Sequence, residues 1–313
     1  MMRSTIIVVA ALMTIFRLIG YFTEPRLEAA DIHRIVGVPE GIAREPASGG
    51  PIRVVSWNIE RGVQFQKIVS ALRAQSPDVI LLQEVDRYCK RSGNRDVARE
   101  LASVLEMNWV SAGEFQEVGE ASGSPAAITG QAILSREPIA DAAAIVFEDQ
   151  ASMRWRLSPS QPRRGGRIAL RARTAGFTFY NLHLESQGDD QLRTRQLTQV
   201  VADARTQDGG MMIAGDFNNA VAFQSFMFEG LGSAGFGDAL GTIGVRQTSI
   251  NHRHPVDWMF VKGARAFGGR VERVDDTSDH YPLVVRMARA DQTRPAAPES
   301  QAAAAPRSGS GRR

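Results

Sequence analysis

The sequence predicts an α/β fold built in layers. Short apolar runs of period two alternate with segments of helical period along residues 52–287. One run, Asp78 to Val85 (DVILLQEV), is apolar almost without a break, as expected of a strand covered on both faces. The second half adds a hairpin, in which Arg167–Arg173 and Phe177–Leu184 are joined by Thr174-Ala175-Gly176.

In chain order, Arg53 to Ile59 alternates and sets Val54, Ser56 and Asn58 on one face of the first strand. Phe65, Ile68, Val69 and Leu72 recur at helical spacing over residues 65–74, and Pro77 stops that helix. After the strand of residues 78–85, residues 95–107 (RDVARELASVLEM) form a second amphipathic helix. Thr129 to Ser135 reads as a strand that Pro138 closes off. Residues 191–204 form a long helix, and Met211 to Ala214 a buried strand that ends in Gly215-Asp216-Phe217-Asn218. Val256–Val261 and Tyr281–Met287 are the last two strands. Gly230-Leu231-Gly232-Ser233-Ala234-Gly235 satisfies a dinucleotide-binding pattern literally, but no apolar strand leads into it and it opens no helix, so that reading is rejected.

The two ends read differently from the body. Residues 1–22 carry Arg3 before an apolar run, with Arg17 inside the stretch Thr5–Phe22. A cleaved secretory signal and an uncleaved membrane anchor both fit, and both place the protein outside the cytoplasm, exported or membrane-anchored. Residues 23–51 mix charges without a period and end in Pro46-Ala47-Ser48-Gly49-Gly50-Pro51, which is linker chemistry. Residues 288–313 are rich in Ala, Pro, Ser, Gly and Arg and cannot bury a core, so a disordered tail is expected. The formal charge of +3 comes from that tail, because residues 52–287 hold 27 basic and 27 acidic side chains. A balanced body lacks the basic footprint of a dedicated nucleic-acid binder. Cys89 is the one cysteine, so no intrachain disulfide forms.

Several apolar runs end in polar residues that would be costly to bury unpaired. Glu84 closes an otherwise apolar strand; a salt bridge to a neighbour such as Arg87 is its ordinary explanation. Asn58 ends the adjacent strand, and Glu60 follows on its face. Together they offer oxygen ligands suited to a hard cation, Mg²⁺ or Mn²⁺. Asn181 and His183 share a face with Phe177 and Phe179, and a polar strand end after an aromatic face fits a site better than a core. Asp216 and Asn218 follow a buried run, where an Asx-turn is the ordinary alternative. Asp257 lies inside an apolar run and needs a partner; His280, in Ser278-Asp279-His280, is a suitable one. Two arginine-rich clusters read as solvated surface by default. The second contains Arg163-Arg164-Gly165-Gly166-Arg167, whose glycines would let a phosphate approach the backbone, and Arg164 and Arg167 are candidates to reach it.

Ser56-Trp57-Asn58, Leu82-Gln83-Glu84, Asn181-Leu182-His183-Leu184, Gly215-Asp216-Phe217-Asn218, Val256-Asp257-Trp258 and Ser278-Asp279-His280 occur in one order over residues 52–287. In that order they resemble the motifs of the endonuclease/exonuclease/phosphatase superfamily, which includes pancreatic-DNase-like nucleases, apurinic endonucleases, neutral sphingomyelinases and inositol-phosphate phosphatases. The resemblance implies a four-layered α/β sandwich, two β-sheets face to face with helices on the outer faces. It further implies a metal-dependent phosphoesterase in which Glu84, helped by Asn58 and Asp279, binds Mg²⁺. Asp216 would orient or deprotonate water, with Asn218 beside it. His183 and His280 would contact the phosphate, and Asp257 would orient His280. The implied partner is a phosphoester substrate, with nucleic acid and, through the N-terminal stretch, a membrane as further candidates; a monomer is the expectation. A non-catalytic scaffold that keeps the fold is the alternative, and loss of Glu84, Asp216 or His280 would have marked it; all are present.

Overall fold

The first body strand, β2 (Ile52–Arg61), sends Val54 to one side and Val55, Trp57 and Ile59 to the other. That alternation, repeated in its neighbours, generates the architecture. The computed structural model describes residues 24–38, 50–151, 162–219, 223–241 and 247–289. Within them β2 pairs in parallel with β3 (Val79–Arg87) and antiparallel with β14 (Leu283–Arg289). The larger sheet runs β1 (Val36–Val38), β4 (Asn108–Glu117), β5 (Ile128–Ser135), β3, β2, β14 and β13 (Ala264–Val271), and β7 (Arg163–Gly165) also pairs with β4. The smaller sheet runs β11 (Gly237–Asp238), β12 (Asp257–Lys262), β10 (Gly210–Asp216), β9 (Phe177–His183), β8 (Ile168–Thr174) and β6 (Ala140–Val146).

Three apolar layers follow. Val54, Leu81, Ile133 from the larger sheet meet Leu170, Phe179 and Met212 from the smaller one, so the two sheets pack face to face. Outside the larger sheet lie α2 (Phe65–Gln75) and α3 (Val97–Leu105), which bury Ile68, Leu72 and Leu101 against Val55, Trp57 and Ile80. The spacing of Phe65, Ile68, Val69 and Leu72 makes one buried stripe on α2, and left-handed Ser76 ends it before Pro77. Asp96 caps α3 by accepting from Arg99 N. Outside the smaller sheet, α4 (Asp190–Ala204), capped by Asp189, and α5 (Phe223–Ser233) cover Tyr180, Leu182 and Ile213 with Leu197, Val200 and Leu231. The result is the expected four-layered sandwich.

Several elements escape the sequence pattern. β4 carries buried Glu114, Gln116 and Glu117 and therefore does not alternate cleanly. β6 and β13 are half-exposed edge strands, and β13 is broken by a bulge between Phe267 and Arg270. The Gly230–Gly235 run falls at the end of α5 and in the turn after it.

The expectation of a bare linker over 23–51 is corrected for its described part. Helix α1 (Ala29–Ile32) and β1 lie across β4, with Ile32 buried and Val36–Val38 paired to Trp109–Ser111. Gln116 clamps the segment by accepting from Leu27 N and donating to Pro25 O, while Glu24 accepts from Gly119 N. Ile32 packs inward and Ile35 against the core, but two isoleucines three residues apart with strand pairing and polar contacts leave no clear apolar period. At the other end β14 runs on to Arg289, two residues into the expected tail. Thr5–Phe22 and the rest of the tail lie outside the described residues; among the described ones no helix is long and apolar enough to cross a membrane.

Gly215 has φ +143 where β10 passes β9, and a Cβ there would overlap the Leu182 backbone. Gly215→Ala is expected to cost about 3 kcal/mol or more. A thermal melt should show this as a Tm lower by roughly 6–12 °C.

Candidate active site

Inward-facing positions are apolar through the middle of the sandwich and turn polar at one end. Asn58 ends the inner face of β2. In the smaller sheet, parallel pairing sets Asp216 level with His183, and antiparallel pairing sets it level with Asp257. His280 lies three residues before β14, whose Leu283 pairs with Ser56, so it comes down beside Asn58 from the other direction. Its main chain is held by Trp57, which donates its indole N–H to His280 O, and by Ser278 Oγ, which accepts from His280 N and donates to Asn58 O.

Asp216 is the centre of this set. Its Oδ2 accepts from Asn58 Nδ2 at 3.2 Å and lies 3.5 Å from His183 Nε2 and 3.7 Å from His280 Nε2. Its Oδ1 accepts from Asn218 N, so the Asx-turn anticipated as the ordinary reading is present and the carboxylate serves both ends. Asn218 turns out of the strand at φ +46 and donates its side-chain amide to Leu184 O. On its far side, His280 Nδ1 donates to Asp257 Oδ2 at 2.9 Å and to Oδ1 at 3.1 Å.

The two histidines are driven in opposite directions. Burial lowers the basicity of both, but Asp257 and Asp216 outweigh it at His280 and raise that imidazole to about 10. At His183, Arg167 and the charged His280 add to burial and push it well below its usual 6.5, so it is neutral. Burial, reinforced by Asp257, raises the Asp216 carboxyl to about 7 against the pull of His280 and two hydrogen bonds.

Glu84 stands at the rim, where β2 and β3 bulge together between Asn58 and Arg61 and after Leu82. Its backbone is left-handed at φ +51, and so are Glu60 at +45 and Arg61 at +66. Arg61, not Arg87, is its ion-pair neighbour, with Nε 3.7 Å from the carboxylate. Burial pushes Glu84 up, but Arg61, Arg167 and His280 together hold it below the usual carboxylate value. Glu60 is pushed up by burial and by the negative charges of Asp279 and Glu84. Glu60 lies near both Asp279 and Glu84, and Asn58 Oδ1 accepts from Glu60 N, so these oxygens are of the hard kind that a divalent cation takes. Among the described residues, the one group of acids and histidines whose possible ligand atoms lie within 4.8 Å of one another is Asp216, Asp257 and His280. There His280 donates from Nδ1 to Asp257, and its Nε2 lies 3.7 Å from Asp216.

Three candidates are corrected. Arg164 is buried beneath the N-terminal segment, bonded to Glu24 O, Pro25 O and Gln116 Oε1, and does not reach the site. Arg167 lies behind His183, locked to Glu114 at 3.0 Å. Asn181 donates to Leu82 O and Ala132 O and accepts from Gln83, so its amide ties the sheets together. A Cβ at either glycine between the arginines would overlap Glu114 or Gln150. Conversely, the sequence reading missed Glu114 and Arg61. Glu114, whose Oε2 lies 3.8 Å from His183 Nδ1, sits in the unread strand β4. Arg61 adjoins the Asn58-Ile59-Glu60 strand end and was reachable from that motif.

A four-layered sandwich whose two sheets bring paired acids and histidines to one end defines a phosphoesterase fold. Residues 55–280 match the family model described as the endonuclease/exonuclease/phosphatase family, and the chain belongs to that family. Among solved structures it is similar to an endonuclease/exonuclease/phosphatase from Beutenbergia cavernae DSM 12333, at 17% identity over 76% of this chain and 72% of that one, with a TM-score of 0.56. It is also similar to the human Nocturnin catalytic domain with bound sulfate (16%, 84% and 100%, TM-score 0.57). A third is D. rerio TDP2 complexed with a single-strand DNA product (20%, 76% and 99%, TM-score 0.53). No curated protein sequence matches it.

His280 gives a pH test. Its folded-state value is raised, so its contribution is complete below about 6.5 and is lost as pH rises through about 10. The stability margin of the wild type over His280→Asn, read by denaturant unfolding in metal-free buffer, should therefore shrink from neutral pH to about pH 10. Arg164→Ala should loosen the N-terminal segment to protease while leaving the KM of any substrate unchanged.

Proposed function

We propose that this chain is a divalent-cation-dependent phosphodiesterase that hydrolyses its substrate by in-line attack of water. The observation that supports this most is the position of Asp216, whose one oxygen lies within 3.7 Å of nitrogens from Asn58, His183 and His280. Asp216 takes a proton from the attacking water, a role suited to a carboxyl that titrates near neutrality. The water oxygen bonds to phosphorus as the bond to the leaving oxygen breaks. His280, protonated and held by Asp257, supplies the leaving oxygen's proton from Nε2. Neutral His183 donates an N–H to a phosphoryl oxygen, and Asn218 steadies the turn that carries Asp216. Asn58, Glu84 and Asp279, with Glu60 beside them, would hold Mg²⁺ or Mn²⁺, which when bound offsets the charge developing on the phosphoryl oxygens.

The charge-balanced body supports a substrate gripped at few phosphates: a nucleotide, a short single strand of nucleic acid or a phospholipid headgroup. The apolar Thr5–Phe22 stretch supports an exported or membrane-anchored enzyme. The test is hydrolysis of a panel containing plasmid DNA, RNA, bis-p-nitrophenyl phosphate, sphingomyelin and an inositol phosphate, with Mg²⁺, Mn²⁺ or EDTA. Turnover should require the cation and fall by about 10²–10³-fold in Glu84→Ala and in His280→Ala. Turnover that survives EDTA and both substitutions would overturn the reading, and absence of both turnover and metal binding would favour the scaffold.

A further inference from the structure

The Asp257–His280 hydrogen bond joins groups carried by different sheets. Asp257 opens β12 in the smaller one, and His280 lies in the loop that feeds β14 in the larger one. Two such groups stay aligned only if something fixes one main chain against the other. Thr248 touches both. Its side-chain Oγ1, fully buried, accepts from Val256 N at 3.0 Å and Asp257 N at 3.1 Å. Its carbonyl accepts from Tyr281 N at 2.7 Å, directly after His280. The following residues continue the lacing: Ser249 forms a β-bridge with His280, and Ile250 N donates to Asp279 O. Asn251 then donates its amide to Asp279 Oδ2.

We propose that Thr248 is a positioning residue, whose hydroxyl sets the Asp257 carboxylate against His280 across the two sheets. A threonine that merely closed a loop would need only one of these contacts. Here the hydroxyl oxygen takes both N–H groups at the start of β12, and the same residue's carbonyl takes the first N–H beyond His280. Losing the oxygen frees the start of β12 to shift relative to the His280 loop, while the imidazole itself is untouched. The catalytic part of this inference rests on the phosphodiesterase reading; its geometric part does not.

The experiment uses the full chain as wild type, Thr248→Val, Thr248→Ser and Thr248→Ala, with histidine ring nitrogens labelled with ¹⁵N and His280 assigned by the loss of its signals in His280→Gln. At a single pH, the shifts of His280 Nδ1 and its proton report the bond to Asp257 without any substrate. Thr248→Val, close in shape but without the acceptor, is expected to move both signals, and Thr248→Ser to leave them in place. If the valine variant does not fold, Thr248→Ala carries the same expectation. Unmoved signals in a folded variant lacking the hydroxyl overturn the proposal. With a substrate from the panel, Thr248→Val should lower kcat about 10–100-fold with KM little changed. Combined with Asp257→Asn it should cost no more than Asp257→Asn alone, and losses that multiply would also overturn it. If the wild type hydrolyses nothing, the ring signals still decide the proposal, and only the phosphodiesterase reading fails.

Discussion

A polar side chain between two apolar sheets is tolerated only where it finds a partner, because an unpaired one costs several kcal/mol. In this fold the partners come from the opposite sheet. Gln83 on β3 meets Asn181 on β9, Ser135 on β5 meets Thr174 on β8, and Glu114 on β4 meets Arg167 at the start of β8. Asn58 meets Asp216, and His280 meets Asp257. Ser135 and Thr174 join the sheets at the opposite end, and the other pairs fix them at the end where β3, β9 and β10 finish, as the apolar layer of Val54, Leu81, Phe179 and Met212 does between. The candidate active site is the part of that polar end which opens to solvent.

Environment, not residue type, assigns roles within the set. Two histidines on one carboxylate would be equivalent in water. Burial lowers both imidazoles; at His183 Arg167 adds to it, whereas at His280 Asp257 and Asp216 outweigh it. One ring can then only share a hydrogen bond, and the other can give up a proton. Glu114 adds to the asymmetry, since it holds Arg167 in place near His183. Its own carboxyl is pushed up by burial despite that arginine. Cys89 shows the same rule outside the site: beside Lys90 and Arg91 in sequence, it is buried near Asp86, and its thiol is pushed up rather than activated.

The layered fold and most of the site were legible because burial of alternate residues leaves a period in the chain. A carboxylate or imidazole at the end of such a period, as at Asp216, His183 and Asp257, is anomalous in sequence for the same reason that it is poised in space. Asn181 sits in the same alternation as His183 and reads identically, yet its donors are spent on Leu82 and Ala132. Hydrogen-bond partners far along the chain leave no local mark. Arg164 and Arg167 fail for the same reason, since their partners Gln116 and Glu114 lie about fifty residues earlier. The N-terminal segment was hidden because it docks through strand pairing, Gln116, Glu24 and two isoleucines rather than through a sustained apolar period.

Glu84 could not have reached the rim beside Glu60 and Arg61 on a regular strand. β3 alternates Leu81 inward and Leu82 outward, then Gln83 inward to Asn181, so the next residue would point to the helices. The bulge at that level, with Glu84 at φ +51, takes the carboxylate off the alternation. β2 departs from regular pairing at the same level, with Glu60 and Arg61 also left-handed. A left-handed non-glycine residue costs on the order of 1–3 kcal/mol, and three of them together persist only where the surrounding pairing overdetermines the backbone. The adjoining strands supply that pairing below the bulge, and Val85 resumes it against Gly130 above. The strain therefore falls where Glu60 lies close to the negative charges of Asp279 and Glu84.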